Sequence, residues 1–436
     1  MTIKRLGALI ALFALLALAV SACGGGSDST SSSSSTSEST AEGSEEGSSK
    51  TVKLSGEPYI IGGLTPVSGE GFNYPDWVAG GKAAVAAINE EGGIDGHPVE
   101  FFNCDDKNNP NEAGKCAREM ISKGVIGVAG GATLYHENIE PVLKEANIAW
   151  VGPYAESEEQ WNDENIFPID GSAYSQSSAG AYALKLAGAK KVGLGFVESG
   201  PAAIVQYESF EAGTKALGLE EVPRVNWPLN AADFTPYVQQ MINEGPEGVS
   251  LVALQLQALN FIKISGQLGA GFKITYSDGG LNPENFQTIG GEYDVYVTGG
   301  LPPVTAGETD PKQYPGVAEF REDMKKEAES GEKYAEEKYV GYHTLRTWLS
   351  VKVIAQVANE MKGEITGPKF TEALNAAKEV ETGVIPPWTP GANDGPKGFK
   401  RLSNPYIYVS KVNPEGLPEL VSNEPVDIVE EVGFSR

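Results

Sequence analysis

The chain has 436 residues, enough for roughly two or three structural units and for a sizeable core without a metal or disulfide staple. Its 33 Lys and Arg against 59 Asp and Glu give a formal charge of −26, a surface that repels phosphate backbones and argues against nucleic-acid binding. Three His and three Cys leave little material for a metal site, and no cofactor is expected.

The first fifty residues read as an address. Lys4 and Arg5 precede an unbroken apolar run from Leu6 to Val20, short for a bilayer span and suited to a signal peptide over residues 1–22. Val20-Ser21-Ala22-Cys23 resembles a bacterial lipobox, which implies lipidation at Cys23; a plain signal peptide with an incidental Cys is the alternative. Residues 23–56 are mostly Gly, Ser, Thr and Glu, a composition that cannot bury a core and reads as a flexible tether. An extracytoplasmic body, anchored to the membrane through that lipid alone, is expected. If Cys23 is lipidated, Cys104 and Cys116 remain as an even pair in an oxidising space, and a disulfide between them is expected, with two buried thiols as the alternative.

From Tyr59 the chain alternates strand and helix. Tyr59 to Leu64 reads as a buried strand, Asp76 to Asn89 as a helix stopped at Gly92-Gly93, and Val99 to Phe102 as a strand. Asn109-Pro110 opens a helix to Ser122, with Asn as its N-cap. Val125 to Ala129 is a strand, Ile139 to Ala146 a helix and Ile148 to Val151 a strand. A second series follows: helix 175–187, strand 191–197, helix 205–217, a strand near 222–227, helix 236–243, strand 249–254, helix 258–268 and strand 273–276. Helices are expected at 315–330, 340–362 and 368–378, and a last strand at 405–412.

Two runs of βαβ units predict two parallel sheets covered by helices, an α/β chain of two doubly wound lobes. Ligands bind such sheets outside the carboxyl ends of their strands. The loops that matter are then 65–74, 130–135, 152–156, 198–203, 255–258 and 277–281, and two facing lobes would gather all six around one cleft.

The common catalytic patterns are missing. There is no G-x-S-x-G elbow and no phosphate loop; Gly193-Leu194-Gly195 is followed by Glu198 where G-x-G-x-x-G needs Gly. His136-Glu137 lacks a second His four positions on, and His97 and His343 read as structural or exposed. Asp105-Asp106 reads as a solvated loop. A binding protein is expected rather than an enzyme, with a surface hydrolase built on carboxylates as the remote alternative.

The segments IIGGLTPVSGE and GGKAAVAAINEEGGIDGHPVEFFNCDD resemble the type I periplasmic-binding-protein family, in particular the Leu/Ile/Val-binding receptors of ABC importers. The pattern is Pro66, Ser68 and Gly69, then Gly80 or Gly81, Ala84, Asn89, Gly92, Gly93, Ile94 and Gly96. The late segment VGYHTLRTWLSVKVIAQVAN resembles the family's long helix, although His343 stands where an acid is usual. The resemblance runs from about residue 57 to 412. It implies two lobes joined by a three-stranded hinge: 57–172 plus 302–385 as lobe one, and 173–301 plus 386–436 as lobe two.

It further implies a monomer that clamps a small polar solute, an amino acid or amide, and hands it to an ABC permease with a cytoplasmic ATPase. The same fold serving a signalling partner is the alternative. The site carried over is Ser68 and Tyr74, with Phe72 near, after the first strand; Ala132, Thr133, Leu134 and Tyr135 after the third; and Tyr154, Ala155 and Glu156 after the fourth. Lobe two contributes Glu198 with Ser199, Gln255, Gln257, Asp278 and Gly279. Asp278 is the expected acceptor for a ligand ammonium, and Thr133 with loop amides the donors for its carboxylate; a turn role for Asp278 is the alternative.

Overall fold

The computed structural model describes residues 53–69, 73–198, 201–277, 281–289, 293–304, 310–422 and 424–432, with backbone alone at 201 and 202. The leader, Cys23, Phe72, Ser199, Asp278 and Gly279 lie outside the described residues.

The first series builds β1 (Tyr59–Leu64), α1 (Pro75–Glu91), β2 (Val99–Cys104), α2 (Pro110–Ser122), β3 (Gly127–Ala129), α3 (Glu140–Glu145), β4 (Trp150–Val151) and β5 (Ile166–Phe167). Asn109 caps α2 as expected, its side chain accepting from the amides of Asn111 and Glu112. These strands form one parallel sheet in the order β2-β1-β3-β4-β5.

The second series follows as α4 (Ser172–Leu186), β6 (Lys191–Glu198), α5 (Pro201–Leu217), β7 (Glu220–Glu221), β8 (Val225–Pro228), α6 (Thr235–Glu244), β9 (Gly248–Val252), α7 (Gln255–Gln267), β10 (Lys273–Ser277), α8 (Pro283–Ile289) and β11 (Val295–Gly299). The remainder is α9 (Pro315–Glu329), α10 (Tyr342–Glu360), α11 (Gly367–Ala376), β12 (Tyr406–Val412), β13 (Pro418–Leu420), β14 (Val426–Asp427) and α12 (Ile428–Glu431). The second sheet runs β13-β12-β11-β10-β9-β6-β7, with β8 also on β6 and β14 on β12. The strand expected near 222–227 is thus two short pieces, β7 and β8, both pairing with β6. β12 is antiparallel to both neighbours, so this sheet is mixed at one edge rather than wholly parallel.

Both sheets share one winding. β1 sits between β2 and β3, and β6 between β7 or β8 and β9. In each, the connections leaving the central strand and its next neighbour diverge to opposite faces and open a crevice at the carboxyl ends.

Helices α1 and α10 cover the first sheet on a core that includes Ala83, Ile88, Trp348 and Ile354. They approach closely because α1 carries Gly80: a Cβ there would lie 2.2 Å from the Thr344 carbonyl oxygen. Cys104 and Cys116 are bridged, as expected, with Cα atoms 5.5 Å apart, tying β2 to α2. The second sheet has its own core around Phe196, Trp227, Phe261 and Ile274.

Three crossings join the lobes and lie side by side. The first contains Ile169 and Asp170; Gly300 of the second abuts Asp170, with a Cβ at Gly300 falling 2.5 Å from its Cβ; Asn404 of the third donates to the Ile169 carbonyl at 2.7 Å. Residues 386–404 pack on the first-lobe side: Trp388 is in the first core, and Arg401 donates from Nε to the Ile166 carbonyl at 3.1 Å.

Candidate functional site

The crevices of the two sheets open onto one cavity of about 130 Å³. The first lobe contributes Tyr74 and Trp77 after β1, Ala132, Thr133 and Leu134 after β3, Tyr154 and Glu156 after β4, and His343 from the first turn of α10. The second contributes Val197, Gln206, Leu251 to Leu254, Tyr276 and Ser277. A groove of about 450 Å³ between α9 and the segment before α10 is larger, but the ends of β1, β3, β4, β6 and β9 do not reach it.

Of the residues expected from sequence, Tyr74, Ala132, Thr133, Leu134, Tyr154 and Glu156 meet in this cavity. The rest of the set stands elsewhere. Ser68 donates from Oγ to Asp105 Oδ2 at 2.5 Å on the outside of the first loop. Tyr135 turns away, its amide donating to Thr133 Oγ1 at 3.1 Å. Ala155 faces the core with Trp161 and Tyr174, because alternate residues of an extended stretch face opposite ways. Glu198 is exposed at the end of β6 and accepts from Asn226 at 3.4 Å.

The segment 255–258 is the first turn of α7 rather than a loop. Gln255 donates to Asn285 Oδ1 at 2.7 Å and lines an adjoining cavity of about 380 Å³, which also touches Tyr74 and His343. Gln257 is buried with its amide already spent: Oε1 accepts from Trp227 Nε1 at 3.2 Å and Nε2 donates to the Leu229 carbonyl at 2.9 Å. Ser199, Asp278 and Gly279 lie outside the described residues.

Sequence reading missed Trp77, Tyr276 and Gln206, and it assigned His343 to structure or solvent. The signal for one of them was positional: Trp77 sits in the first turn of α1, the helix that follows β1, whereas His343, in the first turn of α10, follows short helical turns rather than a strand. His343 stacks on Trp77 (centroids 4.8 Å apart), meets Tyr74 edge-on at 5.0 Å and pairs through Nδ1 with Asp76 at 3.1 Å. Trp77 Nε1 is buried without a hydrogen-bond partner.

Buried polar groups hold the first wall from behind. Thr133 donates its hydroxyl to Asp106, which replaces the solvated Asp105-Asp106 loop expected from sequence: Asp106 is fully buried. Burial pushes the Asp106 carboxyl up, against the Thr133 and Asn108 hydrogen bonds. Asp105 is held below its ordinary value: burial works to raise it, and the Ser68 hydroxyl with the amides of Val67, Lys107 and Ser68 outweighs that. Arg346 is completely buried, pairs with Asp170, and donates from Nη1 to the carbonyls of Gly152 (3.2 Å) and Pro153 (2.8 Å), so it pins the loop that carries Tyr154.

One amide links the two walls. Gln176 Oε1 accepts from Tyr154 Oη at 2.6 Å and from Ser277 Oγ at 2.5 Å, and Gln176 Nε2 donates to Tyr342 Oη at 3.1 Å. Tyr342 in turn donates to Asp170. Cleft and crossings therefore share one hydrogen-bonded chain.

The ionisable groups are few. Burial pushes Glu156 up to about 7, and the nearby His136 only partly opposes this. His136 is itself raised: burial lowers it, but its hydrogen bond and charge contact with Glu140 prevail. Burial raises the phenols of Tyr74, Tyr154 and Tyr276, so all three stay neutral at physiological pH. Among the described residues the arrangement is an aromatic and aliphatic chamber with one carboxylate and a handful of polar atoms, the usual makeup of a small-molecule site.

Comparison with known proteins agrees with this geometry. A family model described as periplasmic binding protein matches residues 58–410. A Leu/Ile/Val-binding protein homolog 7 from Brucella abortus (strain 2308) is 24% identical over 346 residues, covering 74% of this chain and 82% of that one. The branched-chain amino acid transporter substrate-binding protein from Streptococcus pneumoniae, solved in complex with isoleucine, superposes with a TM-score of 0.66 at 19% identity, covering 84% of this chain and 99% of that one. An ABC transporter solute-binding protein from R. palustris, solved in complex with 4-hydroxybenzoate, gives a TM-score of 0.68 at 20% identity, covering 85% and 97%.

Proposed function

The chain belongs to the periplasmic binding protein family, and from that premise we propose that it is an extracytoplasmic receptor that captures a small polar solute between its lobes and delivers it to an ABC importer. The observation that carries this reading is the convergence of both strand-end crevices on one cavity beside three adjacent crossings. Such an architecture closes by rotation about the crossings. Isoleucine in one structural neighbour and 4-hydroxybenzoate in another support small organic solutes as the ligand class. The chain acts by binding and release, without turnover of the solute.

The leader supports secretion and a lipid anchor at Cys23, and among the described residues no helix is long and apolar enough to cross a membrane. The lobes are proposed as 57–172 plus 302–404 and 173–301 plus 405–436: the third crossing falls near Asn404 rather than at 385/386, since Trp388 and Arg401 belong to the first-lobe side. Tyr74, Thr133, Tyr154 and Glu156 are the proposed first-lobe ligand contacts, joined by Trp77 and His343; Tyr276 and Ser277 answer them from the second lobe.

The test is thermal unfolding of the full-length protein against amino acids, amides, urea, polyamines and aromatic acids, followed by small-angle scattering with any hit. A ligand at about 100 times its Kd adds roughly 2.7 kcal/mol of stability. A hit accompanied by a smaller radius of gyration supports the receptor. Chemical consumption of the hit would overturn it in favour of an enzyme.

A further inference from the structure

We propose that the solute captured in this cleft is a small organic cation, an alkyl-substituted or quaternary ammonium, paired with Glu156 and packed among the rings of Tyr74, Trp77, Tyr154 and Tyr276. The inference rests on the receptor reading above and names the ligand class of that same site.

Three observations carry it. The first is charge. Among the described lining residues Glu156 is the one carboxylate, and there is no Lys or Arg. The cations near it are already committed: Arg346 is fully buried against Asp170, His343 pairs with Asp76, and His136 pairs with Glu140 at 3.0 Å. An anionic ligand would meet Glu156 with only the Glu140-paired His136 to offset the repulsion, whereas a cation would give a desolvated carboxylate its partner.

The second is the direction of the hydroxyls. Thr133 donates to Asp106, Tyr154 and Ser277 donate to Gln176, and Tyr276 donates to the Ala253 carbonyl at 3.1 Å. Each hydroxyl has a single hydrogen, so these four oxygens have only lone pairs left for the cavity. A ligand carboxylate needs donors and finds these four spent; a cation needs acceptors and electron-rich surfaces. The third is the aromatic content: rings around a positive centre attract it through their quadrupoles, most strongly when it is desolvated.

Glu156 also makes the binding pH-dependent. The titratable groups that face it are His136 from the turn before α3, Tyr74 from the loop before α1 and Tyr154 on its own loop. Burial holds its pKa at about 7, so the neutral acid dominates below that value and a cation loses its partner there.

The experiment is titration calorimetry on the full-length protein in detergent, after denaturing extraction of any carried-over solute and refolding. The probes are choline, tetramethylammonium, the neutral choline isostere 3,3-dimethyl-1-butanol, isoleucine and 4-hydroxybenzoate. The expected result is binding of choline or tetramethylammonium, at least about 30-fold weaker binding of the neutral isostere, and affinity that rises from pH 6 to pH 8. Glu156→Gln, folded by circular dichroism, should lose at least tenfold at pH 8. Binding of isoleucine or 4-hydroxybenzoate with unchanged affinity in Glu156→Gln would overturn the cation and leave the receptor standing. Silence from all five probes with a neutral or anionic solute in the extract does the same. Silence with an empty extract overturns both.

Discussion

The two walls of the cleft are built differently. The first-lobe wall is aromatic and carries the carboxylate, and buried polar anchors fix it: Asp106 behind Thr133, Arg346 behind the Tyr154 loop, and the Cys104–Cys116 bridge behind the segment that bears Asp105 and Asp106. The second-lobe wall is largely aliphatic, through Val197, Leu251, Val252 and Leu254, and rests on the packing of its own sheet. A wall with fixed polar partners can recognise a ligand before closure; an apolar wall that arrives afterwards adds contact area and excludes water. Under the proposed function, this difference gives recognition to the first lobe and enclosure to the second.

The largest test breaks the anchor. Arg346→Met leaves Asp170 charged and buried without its partner, which costs about 3–5 kcal/mol of stability. Urea unfolding should register that loss, and ligand affinity should fall with it because the loop bearing Tyr154 and Glu156 is no longer pinned. A loss below about 1 kcal/mol would mean that the first wall is not held from behind.

Next comes the disulfide. Cys104 and Cys116 are 12 positions apart, and opening a loop of this size costs about 3 kcal/mol in the chain-entropy account. In the double Ser variant, hydrogen exchange should accelerate at Asp105, Asp106 and Thr133 and stay unchanged at Leu251 to Leu254. Equal acceleration in both regions would erase the distinction between the walls.

Much of the fold was legible because alternating apolar runs and Gly or Pro stops announce each βαβ step. Short, isolated pieces were not: β5 has two residues and α8 seven, too few to carry a period. β11 was overlooked, and the direction of β12 depends on its partners rather than on its own residues. The site was half legible. Loops after β1, β3 and β4 delivered Tyr74, Thr133, Tyr154 and Glu156, since topology alone puts those ends at the crevice. Gln257 failed because its amide is consumed by Trp227 and Leu229, and Ala155 because backbone alternation turns it inward. Trp77 and Tyr276 look like core residues in sequence; only the three-dimensional arrangement puts them on the cavity.

A smaller effect sharpens the comparison through pH. In the unfolded chain Glu156 ionises near 4.5, and in the folded protein burial delays this to about 7. Between these values the folded state binds the extra proton, so the residue lowers stability as pH rises through that window and its full cost is present above about 7. Glu156→Gln should therefore stabilise the ligand-free protein by about 3 kcal/mol at pH 8 and by nothing measurable at pH 4, read from urea midpoints at the two pH values. No pH dependence in that difference would place Glu156 in contact with water and weaken its standing as the recognition group of the first wall.

The smallest effect belongs to the second wall. Leu254 is half-buried at the end of β9 and contributes only apolar contact to the cavity. Truncation to Ala removes part of that contact and leaves no polar group unpaired, so affinity should weaken by about 1 kcal/mol or less, roughly fivefold. The loss should appear in the dissociation rate, because a ligand already held by the first wall escapes more readily through a looser cover. Trp77→Ala, on the opposite wall, should cost about 2 kcal/mol or more, as truncation of a central buried aromatic anchor commonly does. Stopped-flow kinetics on the two variants measures both. If Leu254→Ala proved the costlier change, the second lobe would be the recognising surface and the roles of the two walls would be reversed.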